Sequence, residues 1–299
     1  MPSVMAKTHD ILAVIGFGEA GLTFAAAGGW GEAAQVFDQL TQAPDQRDAK
    51  LVQYAAAGVS GRETLVEALA RANTVISLVT ADQALAVATE AATAIAPGAL
   101  YLDLNSVAPE TKRAAARAIE VAGAHYVDVA VMSPVQPAAL SAPLLLSGAK
   151  AQDAAAILAA LGFTKVRVVG DEVGRASSIK MIRSVMIKGL EALSAECVLA
   201  ASEAGVLDEV IGSLDASWPG ADWGGRADYN LDRMMIHGAR RSAEMEEVVR
   251  TLDDLGVGSD MSRGTVVRQA RIGALGLKTP PVGLRNKIAS VLHGRAKAK

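Results

Sequence analysis

The chain has 299 residues, 51% of them hydrophobic and few aromatic, which allows two domains with a large core and leaves no apolar run long enough to span a membrane. Its single cysteine, Cys197, excludes an internal disulfide and a thiolate metal cluster, and no metal site is expected. The net charge of −3 divides into −9 over residues 1–224 and +6 over 225–299. A basic C-terminal part suits an anionic small molecule or an acidic surface, and the lack of a basic stripe interleaved with aromatics argues against nucleic acid.

The first ten residues lack the basic start and apolar core of a signal peptide, so a cytoplasmic protein is expected. Residues 11–15, apolar and rich in β-branched side chains, read as a buried parallel strand. They run into Gly16-Phe17-Gly18-Glu19-Ala20-Gly21, the G-x-G-x-x-G spacing of a dinucleotide-binding turn. Gly16 permits the turn, Gly18 admits a pyrophosphate, and Gly21 lets the next helix pack on the strand. The diphosphate then sits on the N–H groups of that helix's first turn. A second strand, 33–37, ends in Asp38, 22 positions after Gly16, where a carboxylate accepts hydrogen bonds from ribose hydroxyls. Asp38 repels a 2′-phosphate and 39–42 supplies no arginine to receive one. NAD is therefore expected, with NADP the alternative through Arg47 or Arg62.

Next, 55–59 reads as a strand and Ser60-Gly61-Arg62-Glu63 as a capping box that opens a helix. Residues 74–79 form a strand, and Thr80-Ala81-Asp82-Gln83 is a second capping box whose helix stops at Pro97-Gly98. After the strand 100–104, Pro109 suits the first turn of a helix. Strands at 125–131, 144–147 and 166–169 complete the set, with antiparallel pairing open for the last of them. This alternation predicts an α/β fold with a Rossmann-type, doubly wound, mostly parallel sheet that binds ligands at the carboxyl ends of its strands. Val79, Thr80 and Asn105 are expected there for the cofactor. Asn105, Ser106, Met132 and Ser133 are expected there for a substrate.

From residue 175 to 204 one interruption, Gly189, and no proline predict a single helix of roughly 45 Å, apolar on most faces and therefore buried. The rest reads as helices, ending in a frayed tail at 293–299. The domains are then 1–172, dinucleotide-binding, and 173–299, the long helix with an all-α domain. Lys180, Ser184, Ile187, Glu191 and Ser194 share one face of the long helix. Lys180 lies near the boundary, where a cleft between domains would open. It is either a proton-transfer group, its pKa lowered by burial, or a lysine paired with a carboxylate. Arg183 joins the substrate candidates, as do His237, Arg240 and Arg241. Those two arginines either bind an anion bidentately or form a salt-bridged face with Glu244 and Glu247. His237 has no second ligand at zinc spacing. Residues 218–225 read as a rigid tryptophan loop. Met234-Met235-Ile236 and Val248-Val249 look exposed, which with the apolar long helix predicts a homodimer through the helical domain.

In this order the pieces resemble the β-hydroxyacid dehydrogenase superfamily, which includes 3-hydroxyisobutyrate and 6-phosphogluconate dehydrogenases and the imine reductases. The glycine turn matches, and the strand-end motif D-x-S-T-x-x-P is matched loosely by Asp103 to Pro109. The motif G-x-G-x-x-x-K-x-x-x-N aligns from Gly174, with Ala176 for the second glycine, Lys180 at the catalytic lysine and Ser184 replacing the asparagine. The substrate loop D-x-P-V-S-G-G departs at Met132, Ser133 and Pro134 in the segment starting at Asp128. The family's late lysine and aspartate have no clean match near 237–244, so the chain is similar to a divergent, 6-phosphogluconate-dehydrogenase-like branch. The resemblance implies an NAD(P)-dependent oxidoreductase that moves a hydride between nicotinamide and a small hydroxy acid or its keto partner, with Lys180 and Ser184 catalytic. Imine reduction, oxidative decarboxylation of a sugar acid, and a non-catalytic nucleotide sensor remain alternatives.

Overall fold

The computed structural model describes residues 11–297, with side chains through residue 294. The reading of the first ten residues lies outside that range. Two compact units divide the chain, Met1–Lys180 and Met181–Lys299.

In the first unit the strands β1 (Ile11–Ile15), β2 (Ala34–Phe37), β3 (Ser60–Gly61), β4 (Ala72–Ser77), β5 (Leu100–Asp103), β6 (His125–Val131), β7 (Leu144–Ser147) and β8 (Val166–Gly170) form one sheet. Its order is β3-β2-β1-β4-β5-β6-β7-β8. Every neighbouring pair is parallel except β6 with β7, so β7 and β8 run against the rest. The helices α1 (Glu19–Gly28), α2 (Arg47–Ala57), α3 (Leu65–Leu69), α4 (Ala84–Ala91), α5 (Pro109–Val121) and α6 (Ala151–Ala160) supply the connections.

Both faces of the sheet are covered, which is why its strands are apolar throughout rather than alternating. Leu12 and Val14 pack with Phe24 of α1 and Leu158 of α6. Ala13 and Ile15 turn the other way, toward Leu65, Ala88 and Ala115 of α3, α4 and α5. Full burial of a large aliphatic or aromatic side chain contributes roughly 1.5–3 kcal/mol. Because β1 lies between β2 and β4, the strand order reverses there, and the crevice that binds ligands in such sheets opens at their carboxyl ends.

Three local expectations are corrected. Residues 55–59 are not a strand: α2 runs to Ala57 and ends at Gly58 with φ +68°, leaving β3 only two residues. Alanines favour helix over strand, and Tyr54 anchors that helix by packing edge-on against Phe17. The capping box sits one turn later than read, with Thr64 and Glu67 bonding reciprocally at the start of α3. Thr80 opens a short 3-10 turn, 81–83, instead of capping α4, which ends at Ala91, before Pro97.

The second unit is helical. The long helix α7 (Arg175–Glu203) enters it and is followed by α8 (Leu207–Ser217), α9 (Trp223–Asp254), α10 (Asp260–Gly273) and α11 (Leu284–Lys297). The tail expected to fray from 293 is helical through Lys297, and the last two residues lie outside the described range. The tryptophan segment is only partly loop, because Asp222 accepts a hydrogen bond from the Gly225 amide and starts α9 at Trp223. Met234, Met235, Val248 and Val249 are buried, not exposed. Ile236 of the first stretch is exposed as expected, and further apolar exposure lies on α7, at Ile182, Met186, Ile187 and Leu193. Among the described residues no helix is long and apolar enough to cross a membrane.

Candidate active site

The glycine turn has the shape that a diphosphate requires. Gly16 has φ +86°, and a Cβ there would lie 2.4 Å from the Leu78 carbonyl oxygen, so β1 and β4 close together only with glycine at this position. A Cβ on Gly21 would lie 2.6 Å from the Gly16 carbonyl oxygen, which ties α1 closely to the strand. Gly18 differs: it is exposed, and an added Cβ would meet nothing within 4 Å. That open space lies at the N-terminus of α1, where no side chain caps the helix. Uncapped amides and the positive end of the helix dipole make this an anion cradle. Glu19 is exposed in the first turn and Ala20 is half-buried. Phe17 contributes its backbone, since its ring is buried against Tyr54.

Asp38 closes the far end of the turn. Its Oδ2 accepts from the Phe17 amide at 2.8 Å and its Oδ1 from Leu40 at 3.0 Å. The Lys50 ammonium stands 3.3 Å from Oδ2 and donates to the Phe17 carbonyl at 3.0 Å. Lys50 was not singled out in the sequence, and it offsets the charge that was expected to repel a 2′-phosphate. Burial, with the Asp38 charge beside it, pushes the Tyr54 phenol well above its ordinary range.

At the ends of β4 and β5, Asn105 is buried and fully engaged. Its side-chain oxygen accepts from the Val79 amide at 2.7 Å and its amide donates to Ser77 Oγ at 3.0 Å. Thr80 is exposed next to Val79. Ser106 accepts a hydrogen bond from the Lys180 ammonium, so the two polar groups read independently from the strand-end and helix motifs meet. Met132 is half-buried against Ala130, Leu145 and Ala176, and its amide donates to Pro143 at 2.8 Å. Ser133 Oγ donates to the neighbouring Pro134 carbonyl at 3.2 Å.

Beneath these groups lies a charge cluster that the sequence reading missed. Lys112 of α5 is fully buried, donating to the Asp103 carbonyl at 2.6 Å and to Asp103 Oδ1 at 3.0 Å, with Asp128 Oδ1 at 3.4 Å. The Tyr126 hydroxyl donates to Asp103 Oδ2. Burial, together with the Asp103 and Asp128 charges, holds that phenol far above its ordinary range, so it stays a donor. A clue existed in the sequence: Lys112 falls on the stripe Pro109, Lys112, Ala116, Ile119 that α5 buries.

In the second unit the other candidates serve different partners. Ser184 is buried and accepts from Lys188 at 3.4 Å, and Lys188 pairs with Glu244 at 2.8 Å. Arg241 is buried in a two-pronged pair with Glu191, which also accepts from Gln269 at 2.8 Å. Arg240 pairs with Glu244 in the exposed i,i+4 geometry. His237 is half-buried on α9, and Arg183 is exposed on α7.

Residues 12–170 match the family described as the NAD binding domain of 6-phosphogluconate dehydrogenase, and residues 201–272 match a domain of unknown function, DUF1932. Among solved structures, a conserved hypothetical protein from Sinorhizobium meliloti 1021 is 37% identical, with 96% of this chain and 97% of that one covered and a TM-score of 0.79. The conserved protein MTH1747, described as structurally similar to 3-hydroxyacid dehydrogenases, is 28% identical over 88% of this chain and 96% of its own, with a TM-score of 0.70. A 28.5 kDa protein of Methanothermus fervidus is 29% identical over 149 residues, and the match spans 50% of this chain and 56% of that protein.

Proposed function

Because the chain belongs to the family defined by the NAD binding domain of 6-phosphogluconate dehydrogenase, we propose that it is an NAD(P)-dependent oxidoreductase acting on a small hydroxy acid or its keto partner. The single observation that carries this reading is the hydrogen bond from Lys180 to Ser106, on the same sheet edge as the glycine turn. The likeness to MTH1747 supports the hydroxyacid class. The residues of the turn fit a dinucleotide: Gly18 leaves space beside uncapped amides, and Asp38 stands at the end of β2. When bound, the nicotinamide supplies the hydride acceptor or donor.

The chain's own residues handle the rest. Lys180, as the free amine, takes the hydroxyl proton as the carbinol carbon is oxidised, and as the ammonium it returns the proton in the reverse direction. Ser106 holds that nitrogen in place, and Asn105 fixes the loop that carries Ser106. Ser184, four residues after Lys180, stands where relatives of the resemblance carry an asparagine. The test is a panel of hydroxy acids and sugar acids offered with NAD and with NADP, followed at the absorbance of the reduced nicotinamide. Turnover of a 2- or 3-hydroxy acid supports the reading. Binding of dinucleotide with no turnover across the panel contradicts it and leaves a sensor.

We also infer a homodimer that covers Ile182, Met186, Ile187 and Leu193 of α7, which are 42–61% exposed. Obligate interfaces are apolar and bury roughly 2,000 Å² or more. In sedimentation, Met186→Glu combined with Leu193→Glu is expected to convert a dimer to monomer. A native chain already monomeric at micromolar concentration would contradict the assignment.

A further inference from the structure

One buried ammonium holds both halves of the candidate site. Lys112 stands between two carboxylates on adjacent parallel strands, Asp103 and Asp128, which face each other in register. On one side, Asp103 Oδ1 accepts from the Asn105 amide at 2.8 Å, and so sets the loop bearing Asn105 and Ser106. On the other, Asp128 Oδ2 accepts from the Ser177 amide at 2.9 Å and the Ser177 hydroxyl at 3.0 Å. Ser147 Oγ donates to the same oxygen at 3.3 Å and accepts from the Ala176 amide at 3.0 Å. These are amides of the first turn of α7, and a carboxylate is favoured there by the helix dipole. Lys180 follows Ser177 by three residues.

We propose that Lys112, acting through Asp103 and Asp128, is the positioning residue of the site, fixing Lys180 from one side and Ser106 from the other. The proposal rests on Lys180 being the proton-transfer group of the reading above. Stability alone does not explain such a cluster, because replacing a buried ion group by packed apolar side chains is often neutral or stabilising. What the charges supply here is direction. Two carboxylates each take hydrogen bonds from a segment that carries one of the meeting groups, and without the cation they would repel each other. A misplacement of about 1 Å at a reacting group can cost on the order of 10²-fold in rate, so a rigid anchor at this depth has a direct consequence for turnover.

The test uses the full-length protein and two variants, Lys112→Met and Ser177→Ala. Acylation of lysines by acetic anhydride is read residue by residue by mass spectrometry, with exposed Lys278 as the reference and buried Lys50 as the control for general loosening. NADH affinity is read by fluorescence titration. Lys180 is expected to label at least threefold faster in Lys112→Met and at least twofold faster in Ser177→Ala, as its hold on Ser106 is released. The Lys50 rate in both variants, and the NADH Kd in Ser177→Ala, should stay within twofold of the native values. If Lys112→Met does not fold, Ser177→Ala decides, since it removes only one hydroxyl. Native labelling of Lys180 in a folded variant, or equal acceleration of Lys50, overturns the proposal. Labelling as expected together with full turnover in a Lys180→Met protein would instead defeat the functional reading and leave the anchor standing.

Discussion

In the sheet unit the buried charges Asp38, Asp103, Lys112 and Asp128 cluster toward the carboxyl ends of the strands, and each of the three carboxylates accepts from a backbone amide of a loop or helix start that carries a candidate ligand-binding group. In the helical unit Glu191, Arg241, Lys188 and Glu244 are also buried or nearly so, yet they bind one another, joining α7 to α9. Burial and pairing are alike in the two sets. What separates them is the third partner: backbone amides of functional loops in the first, other side chains of the helical core in the second. A buried ion pair is weak evidence of stabilisation, so the groups on its far side are the better guide to its role.

The largest effects should come from breaking one pair in each unit. Lys112→Met and Arg241→Met each leave a buried carboxylate without its cation, and each should cost about 3–5 kcal/mol in urea denaturation. The comparison predicts that they part company in function. At temperatures where both variants are folded, Lys112→Met should slow turnover tenfold or more, while Arg241→Met should keep turnover near native. Equal losses of activity would erase the distinction drawn between the units.

A smaller effect separates the glycines of the turn. Gly21→Ala brings a Cβ to 2.6 Å from a backbone oxygen and should destabilise by about 1–3 kcal/mol, the range for overpacking. Gly18→Ala meets open space, so thermal stability should hold while NADH affinity falls by tenfold or more in fluorescence titration. An unchanged Kd in Gly18→Ala would mean that the pyrophosphate does not approach there. Smallest of all, Arg240→Ala removes an exposed guanidinium from Glu244, which keeps its pair with Lys188, and should shift stability by about 0–1 kcal/mol. A loss like that of Arg241→Met would show that the helical unit relies on the whole network.

How much of this was legible depended on range. The glycine turn and Asp38 were readable because the motif is local and its physics lies in a few consecutive residues. That Lys180 would stand beside a strand end was readable from its place near the start of a long proline-free helix, sharpened by the resemblance. The α2–β3 segment misled because an alanine-rich stretch carries little periodicity, and its fate was decided by Tyr54 packing on Phe17 from α2. Lys112 was hidden because a lysine in the first turn of a helix usually reaches solvent, and its partner Asp128 is set by strand register that no local pattern encodes. Arg241 gave the same difficulty at longer range. Both arginines of its pair looked alike in sequence, and only the partner fifty residues away, Glu191, separates the buried one from the exposed one.

The proposed role of Lys180, moving the substrate proton in an NAD(P)-dependent oxidation or reduction, is open to one direct test. The direct measurement is steady-state turnover of the best substrate from the panel by the native chain and by Lys180→Met, alongside NADH Kd for both proteins. The expected result is a loss of about 10²- to 10⁴-fold in kcat, with cofactor affinity within a factor of about two. A folded Lys180→Met protein that binds NADH and keeps more than a tenth of native turnover would contradict it.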